Sequence, residues 1–436
     1  MQENRSLLSQ FIKFTSATVT SLLVFSLYSI VDGLFVARGI GEYAMSAVNL
    51  AVPFINLLFS IAVLFAVGTS TIIAIYLGQG KKEYANSLFS QNLSLLLIIG
   101  LVISAAVFLF PQQFAMLLGA KDITLPYTTS YLKGLAPFAM CFIISYNLEI
   151  LVKTDGYPQL AIITVIIGCV THCVLDYITI FLLHWGTMGS ALSTGLSQLL
   201  TCVIYLVHFT GRKTTFHLVR FRMNWGIYRR LIPIGFADGV TELCSGVMIF
   251  LFNHMILRCI GQDGLVSYTI IAYTNTLVIN IMLGVSQGTQ PLISYQYGKS
   301  AKENYHKLLK YALITAAGVA VVSFTLFYLF APQLVQAFLG SENPALNAYS
   351  VSAFHRYSLC YLLVGFNIVI GGFMTAIERP KPAIAISTGR GLLVQGACLL
   401  LLAFTLGGDS IWFAPVISEA ICLASAILFL KQEKRT

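Results

Sequence analysis

Residues 68–83, GTSTIIAIYLGQGKKE, return 220 positions later as residues 288–303, GTQPLISYQYGKSAKE. Six of the sixteen aligned positions are identical: Gly68/Gly288, Thr69/Thr289, Ile73/Ile293, Gly78/Gly298, Lys82/Lys302 and Glu83/Glu303. The same offset pairs Arg38, Ile40 and Gly41 with Arg258, Ile260 and Gly261, and after a slip of one residue Pro111, Leu118 and Gly119 pair with Pro332, Leu339 and Gly340. A self-match sustained in this way makes the chain two copies of one unit.

What each copy is made of follows from composition. The 436 residues are 57% apolar and 10% charged, with a mean hydropathy of +0.82, whereas a water-soluble domain needs far more surface charge. Apolar runs long enough to cross the hydrocarbon core, roughly 20 residues as a helix, are read at 12–37, 44–77, 88–110, 125–152, 159–183 and 187–209 in the first half. The second half supplies 229–257, 265–297, 307–330, 349–377, 383–406 and 410–430. Six spans per copy bring both copies into the membrane from the same side, so the repeats are parallel and related by an axis along the membrane normal, a transporter arrangement. The predicted fold is therefore an all-α integral membrane protein whose twelve transmembrane helices form two parallel-repeat six-helix lobes around a central cleft. The N-terminal lobe covers 1–210, a basic linker 211–228, and the C-terminal lobe 229–436.

The basic residues set the orientation, because short cytoplasmic loops collect Lys and Arg. With the N-terminus inside, the inner segments hold 21 of the 26, from Arg5 and Lys13 through Arg212, Lys213, Arg229 and Arg230 to Arg435; Arg38, Lys121, Lys133, Arg258 and Arg356 fall outside. Both termini are thus expected in the cytoplasm of a cell-membrane protein, and the net charge of +9 is a topology signal, not a nucleic-acid surface. No cleavable signal peptide is expected, since the first apolar run is too long for one. Nine cysteines scattered singly through apolar spans match neither a disulfide framework nor a zinc site. The phosphate-cradling loop of an ATPase and H-E-x-x-H are missing, and the single G-x-S-x-G, Gly284–Gly288, lies inside an apolar span and not on the strand-to-helix turn of a nucleophile elbow, so the chain reads as no enzyme, with no cofactor, driven by an ion or substrate gradient.

A carboxylate at mid-bilayer costs roughly 2.5 to 3.5 kcal/mol on insertion scales and is a functional candidate by default. Asp32 lies late in the first span; Asp176 lies in the fifth, four residues after His172 and on the same helix face. Thr194, on the antiparallel sixth span, can come level with them. These four are the candidate H⁺ or Na⁺ site, with Asp32, Asp176 and Thr194 as ligands for a transient Na⁺; the alternative is that Asp32 caps a bent helix while His172 and Asp176 only bond each other. Glu242, four residues after Asp238 on the seventh span, is the second lobe's candidate, and Asn147, Asn253 and Gln287 are expected to line the cleft with it or to join helices. Glu419 is expected to pair with Arg390, and Glu149 with Lys153 at a helix end.

The run Gly284–Gly298, GVSQGTQPLISYQYG, resembles the eighth-helix signature of the multidrug and toxic compound extrusion (MATE) family. Val67–Lys81 resembles its second-helix signature, Tyr28–Arg38 its first-helix motif, and Ala47–Pro53 the continuation. The resemblance implies a polyspecific antiporter that exports organic cations and drugs in exchange for Na⁺ or H⁺ by alternating access of two lobes. It also implies a first-lobe cation site matching Asp32, His172, Asp176 and Thr194, and a seventh-helix acid matching Glu242. Cationic or amphipathic small molecules and the lipid bilayer are the implied partners, with a monomer as the working unit and no nucleic acid.

Two departures stand out. The family pattern usually has Asn where this chain has His172; an imidazole nitrogen is a poorer Na⁺ ligand than an amide oxygen, and imidazole titrates near neutrality, so proton coupling is expected. No proline precedes Val52, which leaves the first helix without the family's usual bending point. A flippase for lipid-linked precursors, from the same superfamily, would call for a basic cavity, whereas the spans here carry acids; a membrane-embedded enzyme is opposed by the missing metal motif and by a G-x-S-x-G that lies only inside a span.

Overall fold

The apolar runs become twelve helices long enough to cross a membrane in the computed structural model, which describes residues 6–211, 214–340 and 343–435. In chain order these are α1 (Leu7–Val36), α2 (Tyr43–Gly78), α3 (Lys82–Leu109), α4 (Thr124–Thr154), α5 (Pro158–Leu182) and α6 (Gly186–Thr210) in the first lobe. The second holds α7 (Trp225–Cys259), α8 (Gln262–Gly298), α9 (Lys302–Leu329), α10 (Pro344–Ala376), α11 (Pro380–Thr405) and α12 (Gly408–Glu433). Short helices Pro111–Leu117 and Ala331–Leu339 follow the third span of each lobe, where the repeat pairs Pro111 with Pro332. Arg5, Arg212 and Lys213 lie outside the described residues.

The quoted repeat is where the lobes meet. A Cβ on Gly78 of α2 would run into the Tyr295 carbonyl of α8, and one on Gly298 into the Ile75 carbonyl of α2. Gly68 lies against Leu231 of α7, and Gly288 against Phe14 and Thr15 of α1. Backbone-to-backbone crossings of this kind exclude any side chain, as at helix interfaces built on small residues. The matched glycines are thus the same contact made twice, once from each copy.

All these crossings fall on the half of each helix nearest the chain termini, and the buried cores divide accordingly. On the terminal side the first-lobe core takes in Tyr228, Leu231 and Ile234 of α7, while the second-lobe core takes in Phe11 and Phe14 of α1. On the other side each core is drawn from one lobe only, around Phe142 in the first and around Trp412 in the second. The cleft is therefore closed on the terminal side.

Local features place the polar residues. The helix that contains the α1 span continues unbroken from Leu7 to Gly39, as its lack of proline leads one to expect. Immediately after Asp176, α5 widens into a π-helical turn at Tyr177–Leu182, and α11 does the same at Gly389–Leu393, around Arg390. Such turns rotate the following face and cluster at functional positions. The linker does not hang free: Phe216 is fully buried, and the backbone amides of His217, Val219 and Asn224 donate to Asn86 Oδ1, Ser90 Oγ and Gln91 Oε1 of α3. α7 accordingly starts at Trp225, with Asn224 Oδ1 capping it through Gly226 N at 3.0 Å.

Candidate functional site

Three first-lobe helices bring Asp32, His172, Asp176 and Thr194 together. His172 Nε2 lies 2.8 Å from Thr194 Oγ1 and 3.8 Å from Asp32 Oδ1; Nδ1 lies 3.2 Å from Asp176 Oδ2. The imidazole turns a different nitrogen toward each acid, and the two carboxylates also lie close to each other. Thr194 spends its own proton on Ser190 O at 2.9 Å, leaving its oxygen to accept from His172. Asp32, His172 and Asp176 each offer a ligand atom within 4.8 Å of the others.

The burial is uneven. The side chains of His172 and Asp176 are 1% and 0% exposed, that of Asp32 22%, so Asp32 is the most exposed ionisable member of the cluster. Among the described residues, Asp32 Oδ1, both Asp176 oxygens and His172 Nδ1 have no hydrogen-bond partner, whereas buried polar atoms are otherwise nearly always satisfied. Two carboxylates this close in a low-dielectric interior call for a counter-cation, whether a proton or a bound ion. Tyr28 packs edge-on against His172 at 4.8 Å between centroids and holds the ring in place.

In front of His172 lies a cavity of about 170 Å³ between the lobes. Its first-lobe walls carry Phe25, Tyr28, Phe59 and Tyr146, with Phe59 centred 5.4 Å from Tyr146 and 6.0 Å from Phe25. Glu149 and His172 face it from the first lobe, Glu242 and Gln287 from the second. A smaller cavity of about 30 Å³ adjoins it in the second lobe; Glu242 and Gln287 border both, and Asp238, Asn367 and Arg390 border the smaller one. Asp238 Oδ2 accepts from Thr375 Oγ1 at 3.3 Å.

Two residues expected on the cleft lie elsewhere. Asn147 is fully buried and accepts at 3.1 Å from Asn92 Nδ2 of α3. Its neighbours Ser145, Tyr146 and Glu149 take the cavity face of α4, which turns Asn147 toward α3, so it joins helices. Asn253 is half-buried near the far end of α7, three turns beyond Glu242, and borders neither cavity.

The second lobe answers the first-lobe cluster with one in which the acid has a cationic partner. Arg390 Nε and Nη2 both lie 3.2 Å from Glu419 Oε1, and Asn367 Nδ2 donates to Glu419 Oε2 at 2.6 Å. Asn367, at the repeat offset from Asn147, drew no notice in the sequence; the offset itself was the available signal.

Comparison with known proteins bears on this architecture. The MatE family model matches residues 17–178 and 239–395. The multidrug export protein MepA of Staphylococcus saprophyticus is 25% identical over 424 residues, covering 94% of this chain and 91% of its own; MepA of Staphylococcus haemolyticus is 25% identical over 443 residues, covering 100% and 96%. Among solved structures, an outward-facing MATE transporter of the MOP superfamily superposes with a TM-score of 0.91 at 22% identity, covering 98% of this chain and 96% of that one. A Pyrococcus furiosus transporter of the same superfamily, described as having a binding pocket of reverse polarity, superposes at 0.89 with 23% identity, covering 98% and 95%. With two repeated six-helix lobes, a cleft between them and a family match over most of both lobes, the chain belongs to the MATE family of multidrug efflux transporters.

Proposed function

We propose that this protein is a secondary antiporter that exports organic cations in exchange for protons, with Asp32, His172, Asp176 and Thr194 as the coupling site. The observation that carries the reading is the arrangement of two unsatisfied acids beside one imidazole, behind an aromatic cavity walled by Glu149 and Glu242. With Nε2–H donating to Thr194, the imidazole lone pair is on Nδ1, which faces Asp176, so a proton reaching the cluster can be held among two carboxylates and one imidazole whose ligand atoms lie within 4.8 Å of one another. Loading cancels carboxylate charge that the lobe otherwise carries unpaired, and thereby changes which packing of α1, α5 and α6 is stable. The cavity wall favours a cationic cargo: its acids attract one and its rings can face one. A flippase for anionic lipid-linked precursors is poorly served by such a wall.

Alternating access then needs the terminal-side seal to open. The glycine crossings of α2 with α8, α2 with α7 and α1 with α8 are that seal, and the distribution of basic residues supports a cytoplasmic location for this side. The test is efflux of a cationic dye from proteoliposomes. A pH gradient drives it in the wild type, and Asp32→Asn abolishes it in a folded protein; transport at the wild-type rate in that variant would overturn the assignment.

A further inference from the structure

Glu149 on α4 and Glu242 on α7 bring one carboxylate from each lobe to the wall of the main cavity, and among the described residues Glu149 alone of the two has a cationic partner. Lys153, one turn along α4, places Nζ 2.8 Å from Glu149 Oε1. The spacing is that of an ordinary helix-end pair, but the surroundings are not: the Lys153 side chain is 4% exposed and the Glu149 side chain 14%. Glu149 borders the cavity and Lys153 does not. Asp32 and Asp176 also stand off the cavity, which touches their cluster through His172. The acids that would touch a bound molecule are therefore not the acids of the coupling cluster.

We propose that Glu149 is a substrate-recognising carboxylate and Lys153 a tethered cation that competes with the substrate for it, tuning the cavity toward aromatic compounds with two cationic centres. This rests on the export of organic cations proposed above. A paired Glu149 is neutral overall as seen by an approaching charge, so a single cationic centre is drawn first to Glu242. A second centre on the same frame can then reach Glu149 and displace the ammonium from one oxygen. Phe25, Phe59 and Tyr146 provide the ring faces and edges against which the frame lies.

Lys153 and Glu149 give opposite signs, which separates recognition from a structural role. Binding to the full purified chain is read by fluorescence with a bis-amidine dye (DAPI), a monocation (ethidium) and an uncharged probe (phenylnaphthylamine). Lys153→Met should tighten DAPI about tenfold and Glu149→Gln weaken it about tenfold, a range typical of desolvated charge contacts. Ethidium should shift less, and the uncharged probe not at all. The doubly substituted chain carries no buried charge at this place and serves as the folded comparison; it should bind DAPI more weakly than wild type. Single substitutions that weaken all three probes alike, or a double variant with wild-type DAPI affinity, would overturn the proposal. Wild-type protein that binds none of the cations would overturn it together with the export reading. Charge-dependent shifts in a protein that shows no gradient-driven export support the Glu149 assignment and count against antiport alone.

Discussion

Replacing Gly298 with valine tests whether the repeated glycines are the seal. A Cβ at this position meets the carbonyl oxygen, Cα and carbonyl carbon of Ile75, backbone atoms that no rotamer change can move aside. Overpacking of this kind costs about 1–3 kcal/mol, and the cost falls only on the arrangement in which α2 and α8 cross. A penalty of about 2 kcal/mol changes the ratio of sealed to unsealed molecules roughly thirtyfold. Val67, one turn after the cavity-lining Val63 and 2% exposed, is a suitable reporter once changed to cysteine. All nine native cysteines are buried or half-buried, which keeps the background low. A membrane-impermeant maleimide applied from the terminal side should label the Val67→Cys protein faster by up to that factor when Gly298→Val is added, with Gly298→Ala intermediate. Unchanged labelling in a variant of normal thermal stability would refute the idea that these glycines close the cleft.

Other outcomes follow from the same contacts. Changing Arg390 to Met leaves Glu419 with only Asn367 and should lower second-lobe stability by about 3–5 kcal/mol, as when one partner of a buried pair is removed; Arg390→Met with Glu419→Gln should recover most of it in detergent melting curves. Asn92→Ala strips Asn147 of its donor and should cost about 1 kcal/mol while leaving the KM for a cationic dye unchanged, since neither residue borders the cavity. His172→Asn supplies the amide that the family pattern favours; dye efflux should then lose its preference for a pH gradient and respond to a Na⁺ gradient.

The helices were legible because hydropathy is a bulk property of each span, and the structure moves their ends by only a few residues. The earlier start of α7 has a local cause: Asn224 caps the helix and the preceding linker is pinned to α3 by side chains that look unremarkable in sequence. The meeting of Asp32, His172, Asp176 and Thr194 was legible for two reasons. Intramembrane acids are costly enough to be conspicuous, and the four-residue spacing of His172 and Asp176 fixes a shared face. Asn147 was misplaced because a lone polar residue does not announce which face of its helix turns inward; its neighbours Tyr146 and Glu149 decided that. The π-helical turns after Asp176 and around Arg390 leave no composition signature, being adjustments to packing. Glu149 and Lys153 were legible as a pair, but their place on a cavity wall depends on helices distant in sequence.

The central claim is that a proton held by the first-lobe cluster drives export, and the most direct measurement is efflux of a cationic dye from proteoliposomes under an imposed pH gradient and, separately, an imposed Na⁺ gradient, for wild type and Asp176→Asn. The account predicts efflux driven by the pH gradient alone in the wild type and none in Asp176→Asn under either gradient. Efflux driven by Na⁺ alone, or undiminished in Asp176→Asn, would contradict it.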